Sequence, residues 1–422
     1  MTRTRFRHGI ILLGASAILA GCGTMSSARS ATSRHPPVRA ASPTPSRSAP
    51  IRPGSPSPSI ATTAELPPFN TVQMITPQTG WVRTTRFNTA GVAVGSTLWR
   101  TTDGAKTWRR VLRASGTVLT WVAPTSASAW IVRQTQAGHR FQVWTTADGG
   151  AHWQVVTRSI PWSGSVVTAF LTVSAAGMAS LLASGPVGTQ TGPQALWLLT
   201  DNTVAATPVY TSTNTQFSAA SWATPTVGWM IASSALINDT AAVLFRSPDG
   251  GRQWTPVPLP VPARLPSAAN GHPQDIPFLS LNAPPTFLTP TDGYLIASVT
   301  DGPVQGPLIT SPVLYQTTND ETWSPVWLGA PNQSLTQLQW VDPQHAWVML
   351  TSDNGAQETI ATSATGGRSW VAASALPDAT ARPTDDLLAL SATAAIVYAV
   401  GPHDALQVYH TTDGGRTWQV GR

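Results

Sequence analysis

Four aspartates recur in one phrase, which makes them the first residues to test for chemistry. Asp103, Asp148, Asp249 and Asp413 each follow a Thr or Ser by two positions and precede a Trp by five. The phrases read T-T-D-G-A-K-T-W (101–108), T-A-D-G-G-A-H-W (146–153), S-P-D-G-G-R-Q-W (247–254) and T-T-D-G-G-R-T-W (411–418). Two decayed copies end at Trp323 and Trp370. Paired carboxylates could act as acid and base in glycoside hydrolysis, but only if they flank one bond. The local context points elsewhere. A D-G or D-G-G between alternating β-branched and aromatic residues reads as a hairpin turn, with glycine supplying positive φ. The Asp and the preceding Thr or Ser can bond backbone N–H groups of that turn. Trp108, Trp153, Trp254, Trp323, Trp370 and Trp418 then return to bury large apolar surfaces. These aspartates are expected to lock turns.

The remaining inventory is sparse. The eight histidines show no metal spacing. No nucleophile elbow or phosphate loop is present. No metal and no cofactor are expected.

The elements around the boxes set the fold. Small-aromatic-aliphatic triplets precede the boxes: Gly80-Trp81-Val82, Ala129-Trp130-Ile131, Gly228-Trp229-Met230, Gly293-Tyr294-Leu295 and Ala346-Trp347-Val348. Gly177-Met178 and Val397-Tyr398 fall in the same register. Each unit reads as an apolar strand such as Val72 to Ile75 or Phe287-Leu288, a Thr/Pro turn, the triplet strand, a variable loop, the box hairpin and a last strand. The third unit has lost its box. A phrase recurring roughly every 45–50 residues denotes a repeat array. The expected fold is all-β: a seven-bladed β-propeller with four antiparallel strands per blade, over residues 66–422.

The [S/T]-x-D-G-G-x-T-W phrase after a G-W-x-x strand resembles the Asp-box (BNR) repeat proteins. It is most similar to photosystem II assembly and stability factors and their bacterial relatives. Sialidases, sortilin-type receptors and xyloglucanases also carry such boxes, so the resemblance implies a fold more than a function. A sialidase would need three arginines on a carboxylate, a Tyr–Glu nucleophile pair, an Asp acid/base and commonly an F-R-I-P phrase. That phrase is missing, and the glutamates are Glu65, Glu321 and Glu358 alone. The inventory favours a binding, scaffold or assembly role, with a sialidase-like or xyloglucanase-like glycoside hydrolase as the alternative.

Residues 1–21 read as a secretory leader, with Arg3, Arg5, Arg7 and His8 before an apolar run from Ile10 to Ala20. Leu19-Ala20-Gly21-Cys22 resembles the bacterial lipobox, which implies that Cys22 is lipidated and anchors the protein on the extracytoplasmic face of a membrane. Cys22 is the single cysteine, so disulfides are excluded. Residues 22–65, rich in Ser, Pro, Thr and Arg, read as a disordered tether. Residues 1–60 hold eight arginines and no acid, which leaves −2 of the net +6 for the rest. A near-neutral propeller gives no electrostatic basis for nucleic-acid binding. A monomer with a protein or polysaccharide partner is expected.

The long stretches Ser184 to Gln194, Pro258 to Pro285 and Thr300 to Pro312 should lie on the face away from the boxes, two of them bordering unit five. Long loops on a rigid scaffold carry binding sites. His272, Asp275, Asp301 and Gln305 are the candidate ligand or partner residues. With few residues after Trp418, the segment from Ile60 to Phe69 is expected to pair beside the last blade and help close the ring.

Overall fold

The computed structural model describes residues 60–62 and 69–420, except 90–92, 135–139, 162–167, 174–178, 186–193, 201–202, 205–207, 213–216, 233–243, 264–277, 282, 302–308, 353–357, 378–381 and 401–405. Strand β1 (Ile60–Thr62) precedes blade 1, formed by β2 (Phe69–Met74), β3 (Gly80–Phe87), β4 (Ala93–Thr101) and β5 (Thr107–Ser115). Blade 2 is β6 (Val118–Val122), β7 (Ala129–Gln134), β8 (Arg140–Thr146) and β9 (Gln154–Pro161). Blade 3 is β10 (Thr168–Val173), β11 (Ala179–Ser184), β12 (Gln194–Thr200), β13 (Thr203–Val204) and β14 (Tyr210–Ser212). Blade 4 is β15 (Phe217–Trp222), β16 (Gly228–Ala232), β17 (Leu244–Ser247) and β18 (Thr255–Val257). Blade 5 is β19 (Phe278–Leu281), β20 (Thr286–Phe287), β21 (Gly293–Asp301), β22 (Ile309–Thr317) and β23 (Ser324–Leu328). Blade 6 is β24 (Gln333–Trp340), β25 (Ala346–Ser352), β26 (Glu358–Ser363) and β27 (Val371–Ala372). Blade 7 is β28 (Arg382–Ala389), β29 (Ala395–Val400), β30 (Leu406–Thr411) and β31 (Gln419–Val420). The strands meander in chain order within each antiparallel sheet, and no helix occurs among the described residues. The chain is a seven-bladed β-propeller, as its repeat predicts.

Seven apolar clusters hold the ring, and each spans two adjacent blades. Triplet strands supply their centres. Trp81, Trp229 and Trp347 are fully buried. The small first residue of the triplet has a steric cause. A Cβ on Gly228 would meet the Trp222 ring at 2.6 Å, and one on Gly293 would meet Phe287 at 2.7 Å. Side-chain amides add polar bridges between blades. Gln73 of β2 bonds both backbone groups of Ala123, Gln194 of β12 those of Phe217, and Gln337 of β24 those of Leu387. Each amide replaces a ladder partner that the neighbouring blade lacks.

Ring closure differs from the sequence expectation. β1 pairs with β5, Ile60 opposite Arg109 and Thr62 opposite Thr107, so it extends the outer edge of blade 1 and not blade 7. Phe69 lies in β2, opposite Thr84 of the same blade. Blade 7 completes itself, because the two residues of β31 suffice to pair with Tyr409 and His410. The seam between blades 7 and 1 is therefore closed by packing: Met74, Val82, Trp99 and Trp108 meet Leu388, Ile396 and Tyr398.

Two long stretches also contain more strand than expected. Phe278–Leu281 pairs with β21 and forms the first half of the innermost strand of blade 5, ahead of β20. Thr300 and Asp301 pair with Thr310 and Ile309, so this part of the unit is a hairpin extending nine pairs from Gly293. In blade 3, which lacks a box, both β13 and β14 pair with β12.

Candidate functional site

The six boxes share one hydrogen-bond lock. In the last copy the Thr411 hydroxyl donates to Asp413 Oδ1 at 2.8 Å and accepts the Gly415 N–H at 3.1 Å. Asp413 then accepts the Thr417 N–H at 3.0 Å and the Thr417 hydroxyl at 2.6 Å. Asp103 is held the same way by Thr101 and Thr107, Asp148 by Thr146 and His152, and Asp249 by Ser247, Arg252 and Gln253. Where the Asp is lost, the acceptor role passes to another side-chain oxygen. Asn319 Oδ1 accepts the Thr322 N–H at 2.9 Å, and Thr365 Oγ1 accepts the Ser369 N–H at 2.9 Å.

The carboxyl acidities follow from these bonds. Burial alone would raise Asp148, but bonds from His152 and Thr146 outweigh it and hold it at about 2. The Thr417 hydroxyl and N–H, with Thr411, hold Asp413 at about 2. Asp249 is lowered first by the Gln253 N–H. In Asp103 burial opposes the shift, and bonds from Thr107 and Thr101 prevail. All four are ionised acceptors, Asp103, Asp148 and Asp413 through both oxygens and Asp249 through Oδ1, the reverse of what a general acid needs.

Each box also docks on the turn between the first two strands of its blade. The N–H after the Asp position donates to that turn: Gly104 to Gln78 O, Gly149 to Ala127 O, Gly250 to Thr226 O, Asp320 to Thr291 O, Gly366 to Gln344 O and Gly414 to Thr393 O, at 2.7–3.1 Å. Thr76, Thr125, Thr224, Thr289, Asp342 and Ser391 cap those turns through their side-chain oxygens. This capping series escaped the sequence reading, although its signal is present as a Thr, Ser or Asp four residues before each triplet strand.

The box tryptophans reach back to the preceding blade. Trp323 packs edge-on against Trp229 at 5.3 Å, and Trp418 against Trp347 at 6.3 Å. Trp153 shares a cluster with Trp81, and Trp108 with Tyr398. The indole N–H of Trp153 donates to Val111 O, and that of Trp418 to Ser374 O, each at 3.0 Å. Trp254 donates within its own box, to Gly251 O. In the decayed boxes the buried indole nitrogens of Trp323 and Trp370 have no hydrogen-bond partner among the described residues.

The opposite face carries the other specialisations. Five innermost strands hold a register shift near their beginning: β2 at Phe69/Thr71, β6 at Val118/Thr120, β15 at Phe217/Ala219, β24 at Leu335/Gln337 and β28 at Pro383/Asp386. Those ends lie away from the boxes. Bulges re-aim side chains and are frequent beside functional sites. Asp301 is the last residue of β21, at the same end. His272, Asp275, Gln305 and Cys22 lie outside the described residues. Among the described residues no group of three or more His, Cys, Asp or Glu could hold a metal ion.

No family model and no curated protein match this chain. Solved structures do. A prolyl endopeptidase is similar at a TM-score of 0.52 and 11% identity, over 84% of this chain and 50% of that one. An oligogalacturonate lyase in complex with manganese gives 0.52 at 8% identity, over 80% and 86%. The GH74 xyloglucanase from Xanthomonas campestris aligns at 13% identity and a TM-score of 0.48, over 85% and 54%. The chain spans about half the length of the endopeptidase and xyloglucanase structures. At such identities the likeness concerns the fold alone.

Proposed function

We propose that the protein is an exported scaffold or recognition module, anchored to a membrane through a lipid on Cys22, that binds a protein or polysaccharide through the face opposite the boxes. The resemblance to photosystem assembly factors suggests an assembly role for envelope components, with no photosystem implied. One observation carries this reading: the box carboxylates are spent on turn locks at one face, while the bulges and the extended blade 5 hairpin lie at the other. Affinity capture from detergent-solubilised membranes tests it. A partner retained by the parent chain and lost on deleting Ala263 to Gln274 supports the loop-face reading. Hydrolysis of a glycan panel, abolished by Asp275→Asn or Asp301→Asn, would overturn it in favour of a glycoside hydrolase.

A further inference from the structure

The near-neutral total of the propeller hides a segregation of charge. Residues 66–163, which hold blades 1 and 2, contain ten Arg and Lys and two acids, Asp103 and Asp148. Residues 164–422 contain seven Arg and sixteen acids. One sector is thus +8 and the remainder −9. Both acids of the basic sector are engaged in box turns. Arg86, Lys106, Arg109 and Arg113 are exposed, and among the described residues none of them pairs with a carboxylate.

A register comparison sharpens the point. Arg246 stands opposite Trp229 in blade 4 and is neutralised by Asp320 of blade 5 at 3.0 and 3.1 Å. Arg100 stands opposite Trp81 at the same place in blade 1, yet its Nε meets only the Ser126 carbonyl of blade 2, at 3.0 Å. Burial, and then repulsion from Arg109, lowers the Arg100 pKa. The chain also enters the propeller here, since β1 lies on β5, the strand that carries Arg109 and Arg113. The segment before β1 is itself basic, with five arginines between Cys22 and Ile60.

We propose that blade 1, through the exposed Arg86, Lys106, Arg109 and Arg113, is an electrostatic docking surface for anionic lipid headgroups, which orients the ring on its membrane. The proposal rests on the membrane-anchored reading above, because a lipid on Cys22 would hold the chain by the end that enters at this edge. The acidic remainder of the ring is repelled from the same surface, so the charge separation sets direction as well as attraction. Basic side chains near an anionic leaflet act over about a Debye length, roughly 8 Å at physiological salt.

The test uses the full chain carrying Cys22→Ser, so that lipidation plays no part, and flotation with vesicles. Phosphatidylglycerol and phosphatidylcholine at about three to seven are compared with phosphatidylcholine alone. Binding to the anionic vesicles, lost in high salt, is expected. The triple change Arg86→Gln, Lys106→Gln, Arg113→Gln should weaken it about tenfold to a hundredfold with the melting temperature unchanged. Glutamine at Arg29, Arg34, Arg39, Arg47 and Arg52 should leave the propeller's share in place. Parent-like binding by the triple variant overturns the proposal. So does equal binding to neutral vesicles, or binding of a soluble anionic polysaccharide through these residues with no vesicle binding. Anchoring is read separately, from membrane fractionation of cells with and without Cys22→Ser, so either idea can fail alone.

Discussion

At the scale of single residues, the box Asp acts as a hydrogen-bond acceptor for its own turn. Asn319 and Thr365 do the same work without charge, so the charge tunes the lock and is not its basis. It does make the lock pH-dependent. Asp148 and Asp413 are held at about 2 against an ordinary 3.8. A depressed carboxyl stabilises the fold fully above its unfolded value and loses that contribution as pH falls through the folded one. Thermal melting should therefore weaken between about pH 4 and pH 2, and Asp148→Asn with Asp413→Asn should flatten that part of the curve. The box tryptophans offer a second comparison. Trp418→Phe leaves the Ser374 carbonyl without its donor, a loss of about 1–3 kcal/mol, whereas Trp323→Phe removes an indole N–H that has no acceptor among the described residues. Denaturant titration should rank Trp418→Phe as clearly the more damaging; equal losses would contradict the assignment.

Elements show why two glycines stand together. Gly414 and Gly415 both have positive φ, 76° and 79°. A Cβ on Gly414 meets nothing within 4 Å, while one on Gly415 would lie 2.5 Å from the Ala373 Cβ of blade 6. The first glycine answers to backbone conformation alone, and the second also to the approach of the neighbouring blade. Gly414→Ala should cost about 1–2 kcal/mol. Gly415→Ala should add overpacking of about 1–3 kcal/mol. Chemical unfolding of the two variants side by side checks the difference. The D-G-G phrase is legible in the sequence as a turn, because φ is a local matter. That its second glycine faces another blade is not legible, since the contacting residue lies some forty positions away.

The whole ring is held by seven inter-blade cores and closed without strand exchange. Trp108→Ala, at the seam of blades 7 and 1, should cost about 3–5 kcal/mol and expose β2 and β28 first to hydrogen exchange. Deleting Ile60–Thr62 should leave that seam protected, because β1 contacts the outer edge of blade 1 and not blade 7. Loss of protection in β28 after that deletion would show that the seam depends on the N-terminal strand. The long stretch from Thr300 to Pro312 was readable as an insertion, but not as a continuation of the β21–β22 hairpin. Its Gly and Pro residues signal a break, and the pairing of Thr300 with Thr310 overrides them.

The sequence by itself determined the box turns and the number of blades, because D-G-G boxes and alternating triplets are written within a few residues of one another. Seven such units imply seven blades. Only the tertiary structure decided which edge β1 joins, how the ring closes and what the box tryptophans touch. Those outcomes depend on surfaces at least one blade apart in sequence, and for the seam on the first and last blades, where packing selects among partners that local pattern leaves equal. The charge segregation belongs to both levels. The arginines are plain in the sequence, but that Arg100 meets a backbone carbonyl where Arg246 meets the Asp320 carboxylate required the register of two blades.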